Sequence, residues 1–125
     1  MKLQQLKSRT EQYMQERRER KAAPYSIRDD KINTKITHRK MEMAEWARQN
    51  DGSEEYEVIC HRIIDAMVDW TRKANHAQVK LNGAYSILEL AEKYEEVDEH
   101  IRYGQHADYL VETTNDCIER LNTEL

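Results

Sequence analysis

The stretch EEYEVICHRIIDAMVDWTRKANHAQVKL, residues 54–81, decides the fold class. Tyr56, Ile59, Cys60, Ile63, Met67, Trp70 and Ala74 recur at spacings of three and four, which is the period of one helical face. Ile64, Val68 and Thr71 widen that face, so this helix is expected to touch neighbours on two sides and to form the centre of the core. Ser53, with Glu54 and Glu55 behind it, supplies a start signal and puts acids at the positive end of the helix dipole.

The same period extends outward in both directions. Upstream, Ser26 followed by Asp29 predicts a helix start, with Ile32, Ile36, Met43, Trp46 and Ala47 on the inner face and a stop at Asn50, Asp51 and Gly52. Downstream, Asn82 and Gly83 read as a turn. Ser86 with Glu89 reads as a capping box, stapled by Tyr85 and Leu90. The stripe Leu90, Ala91, Tyr94, Val97 and Ile101 resumes after Gly104 as Ala107, Leu110, Val111, Thr114, Ile118 and Leu121, predicting a long helix bent or interrupted at Gly104. Three glycines, one proline and no phenylalanine in 125 residues lack the punctuation of a turn-rich β fold. The expected class is all-α: an antiparallel bundle of about four long helices over residues 24–125, preceded by an amphipathic arm over residues 1–23.

The arm ends at the single proline, Pro24, which offers no N–H and disfavours helix at the residue before it. Its stripe of Leu3, Leu6, Tyr13 and Met14, with Thr10 between, is too narrow to order the segment alone and needs a surface to lie against. Arg17, Arg18, Arg20 and Lys21 follow as a basic run. Residues 1–50 hold 13 basic and 7 acidic residues, a balance of +6, whereas residues 51–125 hold 7 and 17, a balance of −10, together the net charge of −4. Such asymmetry suits pairing between the halves, within or between chains, or contact with an acidic partner. Leu3, Leu6, Tyr13, Met14, Arg17, Arg18, Arg20 and Lys21 are thus the expected partner-binding residues, with exchange of arms in a homodimer as one outcome and an arm folded back on its own bundle, or disordered, as the others.

Three rows spaced i, i+4, i+8 carry acid and imidazole groups: Glu57, His61 and Asp65; Glu92, Glu96 and His100; Asp108, Glu112 and Asp116. Helical phase puts each row away from the apolar stripe, so all three are expected to face water, with His61 nearest a packing edge. His38, His61, His76, His100 and His106 look scattered. Glu95, Glu96 and Glu99 resemble the EExxE element of the MazG-type all-α nucleotide pyrophosphohydrolases, which hold magnesium between acidic helices. The ExxD element of that family has no match, because Glu112 and Asp116 stand four apart, and no family is assigned.

No phosphate loop, nucleophile elbow, HExxH or zinc-type spacing occurs, and no catalytic residue, metal ligand or cofactor is expected. Cys60 and Cys117, far apart and each near an apolar stripe, read as buried reduced thiols. The N-terminus has no apolar leader core and no segment is apolar enough to span a membrane, which sets a cytoplasmic expectation, in its own cell or a host's. The functional expectation is a non-enzymatic helical interaction module, adaptor or inhibitor, of the general character used by phages and mobile elements. It self-associates and binds a protein partner. Nucleic-acid binding through the basic arm and a magnesium-dependent pyrophosphohydrolase are the alternatives.

Overall fold

The structure, a computed structural model, describes residues 3–17, 26–50, 54–104 and 106–123. All regular structure in them is helical: α1 Leu3–Arg17, α2 Ile27–Asn50, α3 Glu54–Lys73, α4 Ala77–Lys93, α5 Glu95–Arg102 and α6 His106–Thr123. The all-α expectation holds, with six helices among the described residues, α1 included, where about four and an arm were expected.

The centre of the bundle is α4, which packs against each of the other five helices, rather than α3, which packs against α2, α4 and α5. Val79, Leu81, Ala84, Ile87, Leu88, Leu90 and Ala91 of α4 are buried. Around them lie Ile32, Ile36, Met43 and Ala47 of α2, Cys60, Ile63, Ile64, Met67 and Val68 of α3, Val97 and Ile101 of α5, and Leu110, Cys117, Ile118 and Leu121 of α6. At about 1.5–3 kcal/mol for each fully buried aliphatic side chain, this shared core is the main term holding the six helices together.

Four boundaries differ from the sequence reading. Residues 54–81 are interrupted at Ala74, Asn75 and His76. The break is held by groups from outside the stretch or further along it. The buried carboxylate of Asp29 accepts the backbone N–H of Asn75 at 3.0 Å and of His76 at 2.6 Å. His76 Nδ1 accepts the N–H of Gln78 at 3.0 Å as the N-cap of α4. Lys80 Nζ donates to the final carbonyls of α3, Thr71 at 3.3 Å and Arg72 at 3.0 Å. Ser26 Oγ meanwhile accepts the N–H of Asp29 at 3.1 Å, the expected cap of α2.

Asn82 and Gly83 make no turn; α4 runs straight through them. Gly83 is there for close approach: a Cβ built on it would overlap the Thr71 side chain of α3. Ser86 and Glu89 likewise sit inside α4 rather than capping a helix, because burial of Ala84, Ile87, Leu88 and Ala91 keeps one face of α4 continuous through them; Glu89 pairs with Lys40 of α2, 2.7 Å away. The next interruptions fall at Tyr94, whose extended backbone ends α4 and starts α5, and at Tyr103 and Gly104 between α5 and α6. No helix among the described residues is long and apolar enough to cross a membrane.

Candidate functional site

The stripe expected to meet a partner lies instead on the chain's own bundle. α1 packs against α4 and α6. Leu6 and Thr10 are fully buried, Tyr13 nearly so, and Leu3 is half-buried. Tyr13 belongs to a second apolar cluster with Ala77, Leu81, Cys117, Ile118 and Leu121. Lys7 pairs with Glu92, so part of the charge asymmetry is satisfied within the chain, and Arg9 donates to the side-chain oxygen of Asn115. Met14 and Arg17 lie on α1 with side chains outside the described set; Arg18, Arg20, Lys21 and Pro24 lie outside the described residues.

A different helix presents an open face. α2 packs against α3 and α4, with Ile32, Ile36, Met43 and Ala47 turned inward. On its opposite side Ile27 is 76% and Met41 64% exposed. Arg28, Lys31 and Lys35, spaced i, i+3, i+7, form an exposed row beside them. Among the described residues no ion pair involves any of these three cations, whereas Arg39, Lys40 and Arg48 pair with Glu42, Glu89 and Glu45. At the C-terminal end of this face Met41 opens onto a groove of about 800 Å³, lined also by Ala44, Arg48, Tyr56, Tyr94 and Glu95.

A cluster of imidazoles forms where α3, α5 and α6 meet. The Asp65 carboxylate receives two rings on one oxygen, His100 Nε2 at 2.8 Å and His106 Nε2 at 2.7 Å from Oδ1. A carboxylate only accepts, so both Nε2 atoms carry hydrogen in this arrangement. His61, one turn before Asp65, stacks on His100 with ring centroids 4.0 Å apart and planes 11° from parallel, and its Nε2 lies 3.9 Å from Glu57. Burial raises the Asp65 carboxyl, but the two imidazole donors and their charge outweigh it and hold the group below its ordinary value. Burial, and then the neighbouring His100, push His61 below its ordinary value. Asp65, His100 and His106 bring one ligand atom each to within 4.8 Å of one another, the one such group of three among the described residues.

The rows therefore behave unequally. Asp108, Glu112 and Asp116 are exposed, as phase required. Glu57, His61 and Asp65 and the end of the Glu92 row lie on the rims of α3 and α5, and the rims meet. Histidines that look scattered converge because His100 and His106 flank the α5–α6 turn, which folds both towards the middle of α3. The only sequence signal is the i, i+4 pair His61 and Asp65. Glu95, Glu99, Glu112 and Asp116 stay exposed and, among the described residues, enter no such cluster. Cys60 and Cys117 are buried free thiols.

No protein-family model, curated protein or solved structure matches the chain.

Proposed function

We propose that the chain is a non-enzymatic helical interaction module, adaptor or inhibitor in kind, that binds an acidic protein surface through the outer face of α2. The observation that carries this reading is the combination on one helix face of two exposed apolar side chains, Ile27 and Met41, with the row Arg28, Lys31 and Lys35, which enters no ion pair among the described residues. Covering Ile27 and Met41 contributes up to about 1.5–3 kcal/mol each, while the cations raise the rate of encounter and fix the register of an acidic partner.

The test compares capture by the tagged full-length chain and by its Arg28→Glu, Lys31→Glu, Lys35→Glu triple variant, with helicity checked by circular dichroism. A protein retained by the first, resistant to nuclease and lost with the triple variant supports the reading. Equal retention by both rejects it.

A second reading rests on the same row, which suits phosphates as well as carboxylates. Nuclease-sensitive retention with a steep salt dependence would assign the face to nucleic acid instead. Self-association, in this account, takes the form of α1 from one copy lying on α4 and α6 of another through the contacts it makes here within one chain. A monomeric mass in light scattering rejects that exchange. The pyrophosphohydrolase alternative gains no support from exposed Glu95 and Glu99; magnesium-dependent pyrophosphate release abolished by Glu96→Gln would restore it.

A further inference from the structure

We propose that Asp65, His100 and His106 form a binding site for a divalent transition-metal ion of the zinc class. The site shares no residue with the α2 face and stands or falls independently of it.

Three separate helices deliver the donor set: Asp65 from the middle of α3, His100 from the last turn of α5, and His106 from the first residue of α6. Two borderline imidazole nitrogens beside one carboxylate oxygen suit zinc and its neighbours, whereas magnesium and calcium favour all-oxygen sets. Zinc holds nitrogen and oxygen at about 2.0–2.2 Å, which places tetrahedral neighbours roughly 3.3 Å apart. The present separations of 2.7 and 2.8 Å are hydrogen bonds, so the ion enters when each opens by about half an ångström. Asp65, with half its side chain exposed, can make that movement and leaves the fourth position open to water, while His100 and His106 are four-fifths covered and keep their places.

Ligation exchanges each Nε2–H···O bond for an Nε2–metal bond. The displaced proton leaves to solvent and each bound ring keeps a single hydrogen, on Nδ1, with no change of oxidation state. His61 is a positioning residue, because its stacked ring fixes the plane of His100. One feature limits affinity: Nδ1 of His106 is buried and has no hydrogen-bond partner among the described residues, so the hydrogen it carries in the bound ring has no acceptor, and binding should be weaker than in structural zinc sites.

The test titrates the full-length, reduced chain with Zn²⁺ alone and with Co²⁺ alone. One equivalent should bind and raise the melting temperature. Asp65→Asn, His100→Gln and His106→Gln should each weaken binding by about tenfold or more, and His38→Gln should leave it unchanged. No saturable binding, equal affinity in the variants, or a thiolate-to-cobalt charge-transfer band assigning the ion to Cys60 or Cys117 would overturn the proposal. Should a variant not fold, NMR of the unmodified chain decides. Diamagnetic Zn²⁺ should shift the ring signals of His61, His100 and His106 and spare those of His38 and His76; any other pattern overturns the site.

Discussion

The carboxylate of Asp29, in the first turn of α2, accepts the backbone N–H of His76 at 2.6 Å, across 47 positions of sequence. It takes the N–H of Asn75 as well, so one buried side chain satisfies two donors at the start of α4 while its own N–H is held by Ser26. Asp29→Ala leaves two part-buried donors without their acceptor. The expected loss is about 2–4 kcal/mol in urea denaturation, since bonds to a charged group are worth about 1.5–3 kcal/mol each and the two share one anion. A loss under about 0.5 kcal/mol, the level of an ordinary surface substitution, would mean that the α3–α4 break is held by something else.

Gly83→Ala tests the closeness of α3 and α4. The new methyl overlaps the Thr71 side chain, whose Oγ1 is already committed to the Met67 carbonyl at 2.8 Å. Overpacking should cost about 1–3 kcal/mol, against a gain of up to about 1 kcal/mol if the glycine were simply an exposed helix residue. Combining it with Thr71→Ala should recover part of the loss, and a double-mutant cycle reads that coupling directly.

The thiols set an alkaline limit on stability. Burial pushes Cys60 from an ordinary 9.0 up to about 11, against a hydrogen bond from Tyr56, and burial also raises Cys117 against Lys80 and Arg120. The folded chain therefore keeps these protons where the unfolded chain loses them. Their contribution is fully present below pH 9.0 and is lost as pH rises through about 11. Unfolding free energy should fall between those pH values, less steeply in Cys60→Ala than in the parent, and neither thiol should react with a maleimide at neutral pH until the chain unfolds. Rapid labelling of the folded chain would contradict the burial.

Leu6→Ala asks whether α1 belongs to the bundle. Leu6 is fully buried in the cluster formed by α2–α6, so truncation should cost about 2–5 kcal/mol and lower the midpoint of a single unfolding transition. A separate early transition, or no change at all, would show that α1 folds apart from the rest.

The apolar phase was legible in the sequence, and it correctly placed Ile32, Ile36, Met43 and Ala47, the Cys60 to Val68 face, and Leu110, Ile118 and Leu121 inside. The ends of α2, the start of α3 and the break at Gly104 were legible too, but the helix ends between Ala74 and Tyr94 were not, for a physical reason. The break at Ala74–His76 contains no strong breaker and depends on Asp29 and Lys80. Asn82–Gly83 and Ser86–Glu89 carry strong local signals that packing of Gly83 against Thr71 and continuous burial of one α4 face override. The imidazole cluster was hidden for a similar reason. Its hydrogen bonds join residues 35 and 41 positions apart, and only the α5–α6 turn brings them together. For α1, the stripe was legible and its need for a surface was correct, but periodicity has no means of saying whose surface; here it is that of α4 and α6.

Amide hydrogen exchange on the full-length chain, alone and with the protein it captures, tests most directly whether α2 is the docking face while α1 serves the fold. New protection on binding should appear along residues 27–45 and leave residues 3–17 unchanged. New protection confined to residues 3–17, with α2 exchanging as before, would contradict the account.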